Sequence, residues 1–188
     1  EIARDTWSGP QRQGGGVWTT PAVDSELGLV FANVSNPTPN FDGSVRKGIN
    51  LFTNAVIALR LDTGRLAWHY QTIHHDVWDW DLMTGPTLFD VTVHGQQIRG
   101  LASLAKTCFV YALNRETGAP IHPIVETPVP TTTGVPGEEI WPTQPIPYSA
   151  GGVPQSPFCA TYPTTVDPEL AKLRRPMFHP YQVGQFVI

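Results

Sequence analysis

Two turns of this chain carry nearly the same sequence, Ala58-Leu59-Arg60-Leu61-Asp62-Thr63-Gly64 and Ala112-Leu113-Asn114-Arg115-Glu116-Thr117-Gly118. In each copy, an apolar run typical of a β-strand enters a Thr-Gly turn, after which a second strand follows. A strand–turn–strand unit that repeats along a chain predicts the blades of a β-propeller. The alternative is a coincidence between two unrelated hairpins, and the length of the shared motif favours the repeat.

Further β-strands are predicted wherever short apolar runs lie between turn signals. These are Gly28 to Val34, Ala55 to Leu61 with Arg65 to Gln71, Thr87 to Val93 with Gln97 to Leu101, and Cys108 to Asn114 with Ala119 to Val125. Each of the three pairs is predicted to form a hairpin. Helical periodicity is confined to Asp167 to Arg175. The sequence therefore predicts an all-β fold, with a long irregular loop excursion over the Pro-, Gly- and Thr-rich residues 127–157.

The composition limits the classes of function. The chain has 188 residues, enough for one domain, and a net charge of −4 with only 15% charged residues. These values exclude a basic nucleic-acid-binding face and a strongly acidic disordered tail. No apolar run reaches about 18 residues, so we expect no membrane-spanning helix. The chain starts at Glu1 and ends in what resembles a new strand, so we expect an internal fragment of a longer protein.

The most unusual local sequence is the stretch His74-His75-Asp76-Val77-Trp78-Asp79-Trp80-Asp81. Tryptophans are usually buried and carboxylates usually solvated, so alternating them is costly without a compensating partner. A metal ion, a basic residue or a polar cofactor would compensate. The simpler alternative is the end of a strand whose tryptophans pack inward while the acids face water.

The first Thr-Gly unit, with Trp68 four residues after Gly64, resembles the tryptophan-docking motif of quinoprotein dehydrogenases. These are eight-bladed propellers that carry pyrroloquinoline quinone (PQQ), and their docking tryptophans pack against the turn of the next blade. His122 stands at the tryptophan position of the second copy, and Arg60 stands where an aspartate is usual. The resemblance implies that residues 1–188 form part of a single propeller domain, a partial eight-bladed propeller with several four-stranded blades.

Four further segments resemble this family in its own order. Residues 14–18 resemble the segment whose tryptophan stacks under the quinone ring, and Asn36-Pro37 resembles the stretch with a metal-ligand asparagine. Residues 75–79 resemble the segment that ends in the catalytic base. Residues 105–107 resemble the site of a cofactor-contacting lysine in the membrane-bound glucose dehydrogenase branch, which this chain resembles most.

The resemblance assigns a role to each candidate residue. It implies that Asp79 is the catalytic base, removing a hydroxyl proton while hydride passes to C5 of the quinone. It implies cofactor binding by Trp18, Lys106 and Asn36. The implied metal ligands are Asn36, Asp79 and Asp81, around Ca²⁺ or alternatively Mg²⁺ or a lanthanide.

The chemistry of these side chains suits the implied roles, and each also has a simpler alternative. Trp18 offers a large π surface for stacking, although a core tryptophan would look the same. Asn36 offers a neutral oxygen suited to Ca²⁺, although an asparagine before Pro37 is also common in turns. Lys106 is an isolated cation in an apolar run, where burial needs an anion, although most lysines are solvated.

The resemblance also implies partners and a location. The substrate would be a small alcohol or sugar, and the electrons would pass to ubiquinone or a cytochrome c. This implies the periplasm, with membrane association through segments outside the chain. Cys108 and Cys159 are open to either pairing in an oxidising space or staying as buried thiols.

Two other classes of function compete with this assignment. One is a non-enzymatic propeller scaffold, which has the same repeat but needs no site residues. The other is a metallohydrolase that uses His74, His75 and the aspartates, although adjacent histidines on a strand point to opposite faces.

Overall fold

The computed structural model describes residues 2–156 and 177–178. This part of the chain contains one short 3-10 helix, Arg4–Thr6, and a series of β-strands. In chain order the strands are β1 (Gln13–Gly14), β2 (Ala22–Asp24), β3 (Leu29–Val34), β4 (Pro37–Thr38), β5 (Ala55–Arg60), β6 (Leu66–Gln71), β7 (Thr87–Val93), β8 (Gln96–Leu104), β9 (Val110–Asn114), β10 (Ile124–Pro128) and β11 (Thr143–Pro147). No helix of the described residues is long and apolar enough to cross a membrane.

The strands form antiparallel sheets of neighbouring chain segments. A four-stranded sheet has the order β2-β3-β5-β6, and a three-stranded sheet has the order β7-β8-β9. Two short ladders pair β1 with β4 and β10 with β11. The alternating apolar side chains of these strands meet in one core cluster, which includes Phe31, Trp68, Leu101 and Tyr111. The all-β prediction is confirmed. Sequential antiparallel strands are also the arrangement found in a propeller blade.

Trp68 joins the four-stranded sheet to the turn after β9. Its indole is buried, and its Nε1 donates a hydrogen bond to the Arg115 carbonyl oxygen at 3.1 Å. The ring lies over Gly118, where an added Cβ would approach it to 2.7 Å. Because Trp68 belongs to β6 and Gly118 to the second Thr-Gly turn, the predicted burial of Trp68 against a neighbouring sheet is confirmed.

The two Thr-Gly turns allow a matched test of this docking. Gly118 and Gly64 both have positive φ, +76° and +65°, but nothing lies within 4 Å of an added Cβ at Gly64. Alanine at either position introduces backbone strain, and only alanine at 118 also collides with the Trp68 ring. We expect Gly118→Ala to lower the free energy of unfolding by about 1–3 kcal/mol more than Gly64→Ala. Equal shifts of the two denaturant midpoints would contradict the docking role.

The third predicted hairpin is much shorter than predicted. After the second Thr-Gly turn, residues 119–121 hydrogen-bond back to residues 112–114 of β9 around a bridge between Leu113 and Pro120, and β10 then pairs with β11. Pro120 and Pro123 lack the N–H groups that a continuous ladder requires, so the chain leaves β9 before the next strand begins. As a result, residues 143–147 of the predicted irregular excursion form a strand.

The predicted helix from Asp167 to Arg175 lies wholly outside the described residues. Cys108 is disulfide-bonded, and the only other cysteine of the chain, Cys159, also lies outside the described residues.

Candidate functional site

The loop between β6 and β7 is folded around the buried carboxylate of Asp76. Its Oδ1 accepts the N–H of Trp78 at 2.9 Å, and its Oδ2 accepts the N–H of Trp80 at 2.9 Å. The Asn54 side-chain amide donates a third hydrogen bond to Oδ2 at 3.0 Å. Burial raises the pKa of Asp76 to about 6, although these hydrogen bonds and the charge of Arg46 act in the opposite direction. Between the two bonded N–H groups, Asp79 adopts a left-handed backbone with φ of 63°.

The tryptophans of this loop pack inward, but the acids do not all face water. Trp78 and Trp80 are buried, with ring centroids 5.3 and 5.1 Å from Phe178. Asp76 and Asp81 are buried as well. The simpler alternative of solvated acids is therefore wrong for these two residues, because protein donors replace water around their carboxylates.

Asp79 is the centre of a polar cluster. Its Oδ2 accepts a hydrogen bond from Lys106 Nζ at 2.8 Å, and its Oδ1 accepts one from Asn36 Nδ2 at 2.8 Å. Asn40 Nδ2 also lies 3.3 Å from that Oδ1. The Asp79 side chain remains 32% exposed and that of Lys106 35% exposed. Asn36, Asp79 and Lys106 thus converge as predicted site residues. The Asp79 carboxylate and the Lys106 ammonium are both within reach of a ligand.

Asp81 supports the cluster from the buried side. Its Oδ1 accepts the backbone N–H of Asn36 at 2.7 Å, and its Oδ2 lies 3.3 Å from Lys106 Nζ. Burial raises the pKa of Asp81, while the Asn36 N–H and the Lys106 charge oppose that rise. Partial burial acts to lower the pKa of Lys106, but the hydrogen bond to Asp79 and the two carboxylate charges outweigh it and raise the pKa. Lys106 therefore stays cationic at neutral pH.

Trp18 lies on a backbone segment that runs beside the cluster. Gly15 N donates to Asn36 O at 2.9 Å, and Ser35 N donates to Gly16 O at 2.9 Å. Trp18 follows shortly after this contact, and 58% of its surface is exposed. The alternative of a core tryptophan is therefore wrong. The described contacts do not join the Trp18 indole to the cluster. Four of the five predicted site residues therefore converge, and the fifth, Trp18, is an exposed aromatic plane beside them.

Asn40 and Asp76 belong to this site although sequence reasoning did not select them. Asn40 offers the same amide group as Asn36 and follows it closely, which is the one local signal that identifies it. In the sequence, Asp76 is one of several alternating acids. Its role depends on two backbone N–H groups of the same loop, which the sequence does not show.

The two histidines of the loop are engaged in hydrogen bonds. His74 lies 2.8 Å from Gln71 Oε1 through Nδ1 and 3.0 Å from Glu126 Oε1 through Nε2. His75 is fully buried and likewise has both ring nitrogens against acceptors. Neither ring offers a free nitrogen for a metal, so the geometry gives the metallohydrolase alternative no support.

The side chains present suit a hard cation and a planar anion. Asp79, Asp81 and Asn36 offer oxygen donors of the kind that Ca²⁺ takes. Within residues 2–156 and 177–178, no group of three or more His, Cys, Asp or Glu is placed to hold a metal ion alone. The described residues thus provide part of a coordination shell, beside an exposed indole and an exposed ammonium that suit an anionic aromatic cofactor.

The fold and the site together define part of a β-propeller with a polar site formed by its loops. The sequence of residues 2–187 matches the family model described as "PQQ: Glucose/ethanol/alcohol dehydrogenase, beta-propeller domain". Because the match extends over nearly the whole chain, the chain belongs to this family of PQQ-dependent dehydrogenase propellers.

Curated proteins with similar sequences are named quinoprotein or quinohemoprotein dehydrogenases. The quinoprotein glucose dehydrogenase of Escherichia coli (strain K12) is 40% identical over 130 residues, 69% of this chain and 16% of that protein. The quinohemoprotein alcohol dehydrogenase ADH IIB of Pseudomonas putida is 37% identical over 123 residues, 62% of this chain and 18% of that protein. The chain spans about a sixth of the length of these relatives.

Solved structures agree with the fold. A quinohemoprotein alcohol dehydrogenase of Pseudomonas putida HK5 superposes with a TM-score of 0.59 at 32% identity, covering 69% of this chain and 21% of that one. A europium-containing methanol dehydrogenase has a TM-score of 0.59 at 26% identity, covering 81% of this chain and 25% of that one. The predicted fold, part of a quinoprotein β-propeller, is confirmed.

Proposed function

We propose that this chain is part of a PQQ-dependent dehydrogenase that oxidises a hydroxyl group of an alcohol or a sugar. The single observation that carries the proposal is the Asp79 carboxylate, which is partly exposed and held between Asn36 and Lys106. Membership of the PQQ dehydrogenase family supports it further. A non-enzymatic scaffold has no need to keep a carboxylate, an amide and an ammonium in contact at an exposed position.

The proposed base is Asp79, which takes the substrate hydroxyl proton on a carboxylate oxygen. A base must be held in one orientation, and Asn36 and Lys106 hold the Asp79 carboxylate by donating hydrogen bonds to its two oxygens. When bound, PQQ supplies the hydride acceptor and a divalent or lanthanide ion supplies a Lewis acid. Lys106 would hold the quinone oxygens, and Trp18 would stack on the ring.

The metal ligands in this proposal are Asn36, Asp79 and Asp81. In the described structure both oxygens of Asp81 already accept hydrogen bonds, from the Asn36 N–H and from Lys106. Each carboxylate oxygen has a second lone pair, so Asp81 keeps acceptor capacity for a metal ion beside these hydrogen bonds. Ca²⁺ is the proposed ion, with Mg²⁺ or a lanthanide as alternatives.

The proposed location is the periplasm, with ubiquinone or a cytochrome c as electron acceptor. The disulfide bond at Cys108 supports an oxidising compartment. Membrane association, where it occurs, would use segments outside this chain.

The proposal is tested with the intact protein that contains this chain. The purified apo-protein is reconstituted with PQQ and Ca²⁺, and dye-linked oxidation is measured with a panel of sugars and alcohols. We expect turnover with at least one of these substrates and none without PQQ. Absence of PQQ-dependent turnover across the panel would reject the dehydrogenase and favour the scaffold.

Residues 1–188 alone are expected to be catalytically silent. The described residues provide only part of a metal shell, and a cofactor held by few contacts binds weakly. The measurement is the same dye-linked assay on the isolated chain, with the intact protein as control. Robust PQQ-dependent turnover by the isolated chain would contradict this expectation.

A further inference from the structure

A cluster of charged side chains is buried beneath the Asp79 loop. Arg46, His75 and Asp76 are fully buried, and the Glu138 side chain is equally inaccessible. Arg46 donates to the carbonyl oxygens of Asp76 at 2.6 Å and Asn40 at 3.2 Å. Charged groups are rarely buried unless they are paired or hydrogen-bonded, so each member of this cluster needs a partner inside the protein.

Glu138 and His75 form a buried side-chain pair in this cluster. His75 Nδ1 faces the Gly48 carbonyl oxygen at 2.7 Å, and Nε2 faces Glu138 Oε1 at 2.7 Å. Burial acts to raise the pKa of Glu138, but the hydrogen bond and charge of His75 outweigh it and lower the pKa. Both ring nitrogens of His75 are therefore held against oxygen atoms, the Gly48 carbonyl on one side and the Glu138 carboxylate on the other.

All described partners of the Glu138 carboxylate are donors. Besides His75, it accepts the backbone N–H of Gly43 and that of Glu139. A Cβ on Gly43 would collide with both His75 Nε2 and Glu138 Oε1, so glycine permits this close approach. One carboxylate therefore ties the loop to residue 43 and to the excursion of residues 127–157.

Gln144 holds the neighbouring residue of the loop from the same excursion. Its Oε1 accepts the N–H of His74 at 2.9 Å, and its Nε2 donates to the His74 carbonyl oxygen at 2.8 Å. The excursion thus contacts two adjacent loop residues, His74 through its backbone and His75 through its ring. Asp76, which folds the remainder of the loop, comes next in the chain.

We propose that Glu138 is a positioning residue that acts through His75 to hold the loop presenting Asp79. The expected effect on turnover rests on the proposed function, whereas the expected effect on the loop's backbone exchange does not. A carboxylate that must stay near its productive position loses about 10²-fold in rate when it is displaced by about 1 Å.

Glu138→Gln is the informative substitution, with Glu139→Gln as its matched control. The first removes the carboxylate that faces the buried His75 ring and turns an amide NH₂ toward the N–H groups that Glu138 accepts. The second makes the same chemical change one residue later, where the Glu139 side chain is 65% exposed and pairs with Lys47 at the surface. Surface pairs of this kind contribute little.

The first measurement is hydrogen–deuterium exchange of the backbone amides of residues 74–81 in the intact protein. We expect exchange about tenfold faster in Glu138→Gln and unchanged in Glu139→Gln. Unchanged exchange in Glu138→Gln overturns the positioning role, whether or not the protein is a dehydrogenase. If Glu138→Gln does not fold, Glu138→Asp is used, because it keeps the charge but shortens the side chain. Its amide exchange over residues 74–81 is then compared with that of Glu139→Gln in the same way.

The second measurement is turnover of the PQQ-loaded protein. We expect Glu138→Gln to lower kcat by about 10–100-fold with KM within about threefold of wild type. In the Asp79→Asn background, Glu138→Gln should add less than about threefold, because the residue that it positions is already inactive. A full additional loss in that background would show a general structural effect and overturn the proposal. Faster loop exchange without wild-type turnover would reject the proposed function alone.

Discussion

Asp79→Asn is expected to lower PQQ-dependent turnover of the intact protein by about 10²–10⁴-fold, the usual contribution of a general base. The asparagine side chain keeps the size of aspartate but cannot accept the substrate proton. Its amide also places a donor against Asn36 or Lys106, both of which donate to Asp79 in the wild type. The loss should therefore appear in kcat, measured by dye-linked oxidation at saturating substrate.

The control for this substitution is Asp62→Asn. Asp62 lies in the first Thr-Gly turn, is exposed and bonds only its neighbour Thr63 in the described contacts. PQQ occupancy is measured by absorbance in every sample, because Asp79→Asn also weakens the proposed metal site. Near-wild-type turnover by fully loaded Asp79→Asn would remove Asp79 from the role of base.

Lys106→Met is expected to have the next largest effect. It removes the ammonium between Asp79 and Asp81, leaving two carboxylates without their cation. It also removes the proposed donor to the quinone oxygens, and loss of one such donor costs about 10²–10³-fold in rate. We expect turnover to fall by that factor and the affinity for PQQ to fall as well.

Lys47→Met is the matched control for the lysine substitution. Lys47 is similarly exposed, 39% against 35% for Lys106, and pairs with a single surface carboxylate, Glu139. Exposed pairs contribute about 1 kcal/mol or less, so this variant should bind PQQ and turn over as the wild type does. An equal loss in both variants would show that removal of any lysine is harmful, which contradicts a specific role for Lys106.

Local chemistry explains which parts of the fold were predictable. The strands from 29 to 34 and from 55 to 60 follow from alternation and from turn residues, and Trp68 docking follows from the repeated Thr-Gly turn. The pairing of β10 with β11 does not follow from such signals. Pro120 and Pro123 end the pairing with β9, and β11, Thr143–Pro147, lies in a segment with little alternation. Pairing between distant segments depends on tertiary packing that a single sequence does not contain.

The candidate site likewise contains some residues that the sequence identifies and others that only the fold reveals. A family resemblance points to Asn36, Asp79 and Lys106, and the structure brings them into contact. The sequence does not point to Glu138, because its partner His75 is far away in the sequence and only the fold brings them together. The sequence shows Asp76 only as one of several acids, since hydrogen bonds to backbone N–H groups leave no trace in residue identity.

The central claim is that Trp18, Asp79 and Lys106 belong to one PQQ site. The most direct test is an experimental structure of the intact protein with PQQ bound. We expect the quinone ring against the Trp18 indole, with a cofactor oxygen within about 3.2 Å of Lys106 Nζ. PQQ bound elsewhere, without contact to Trp18 or Lys106, would contradict the account.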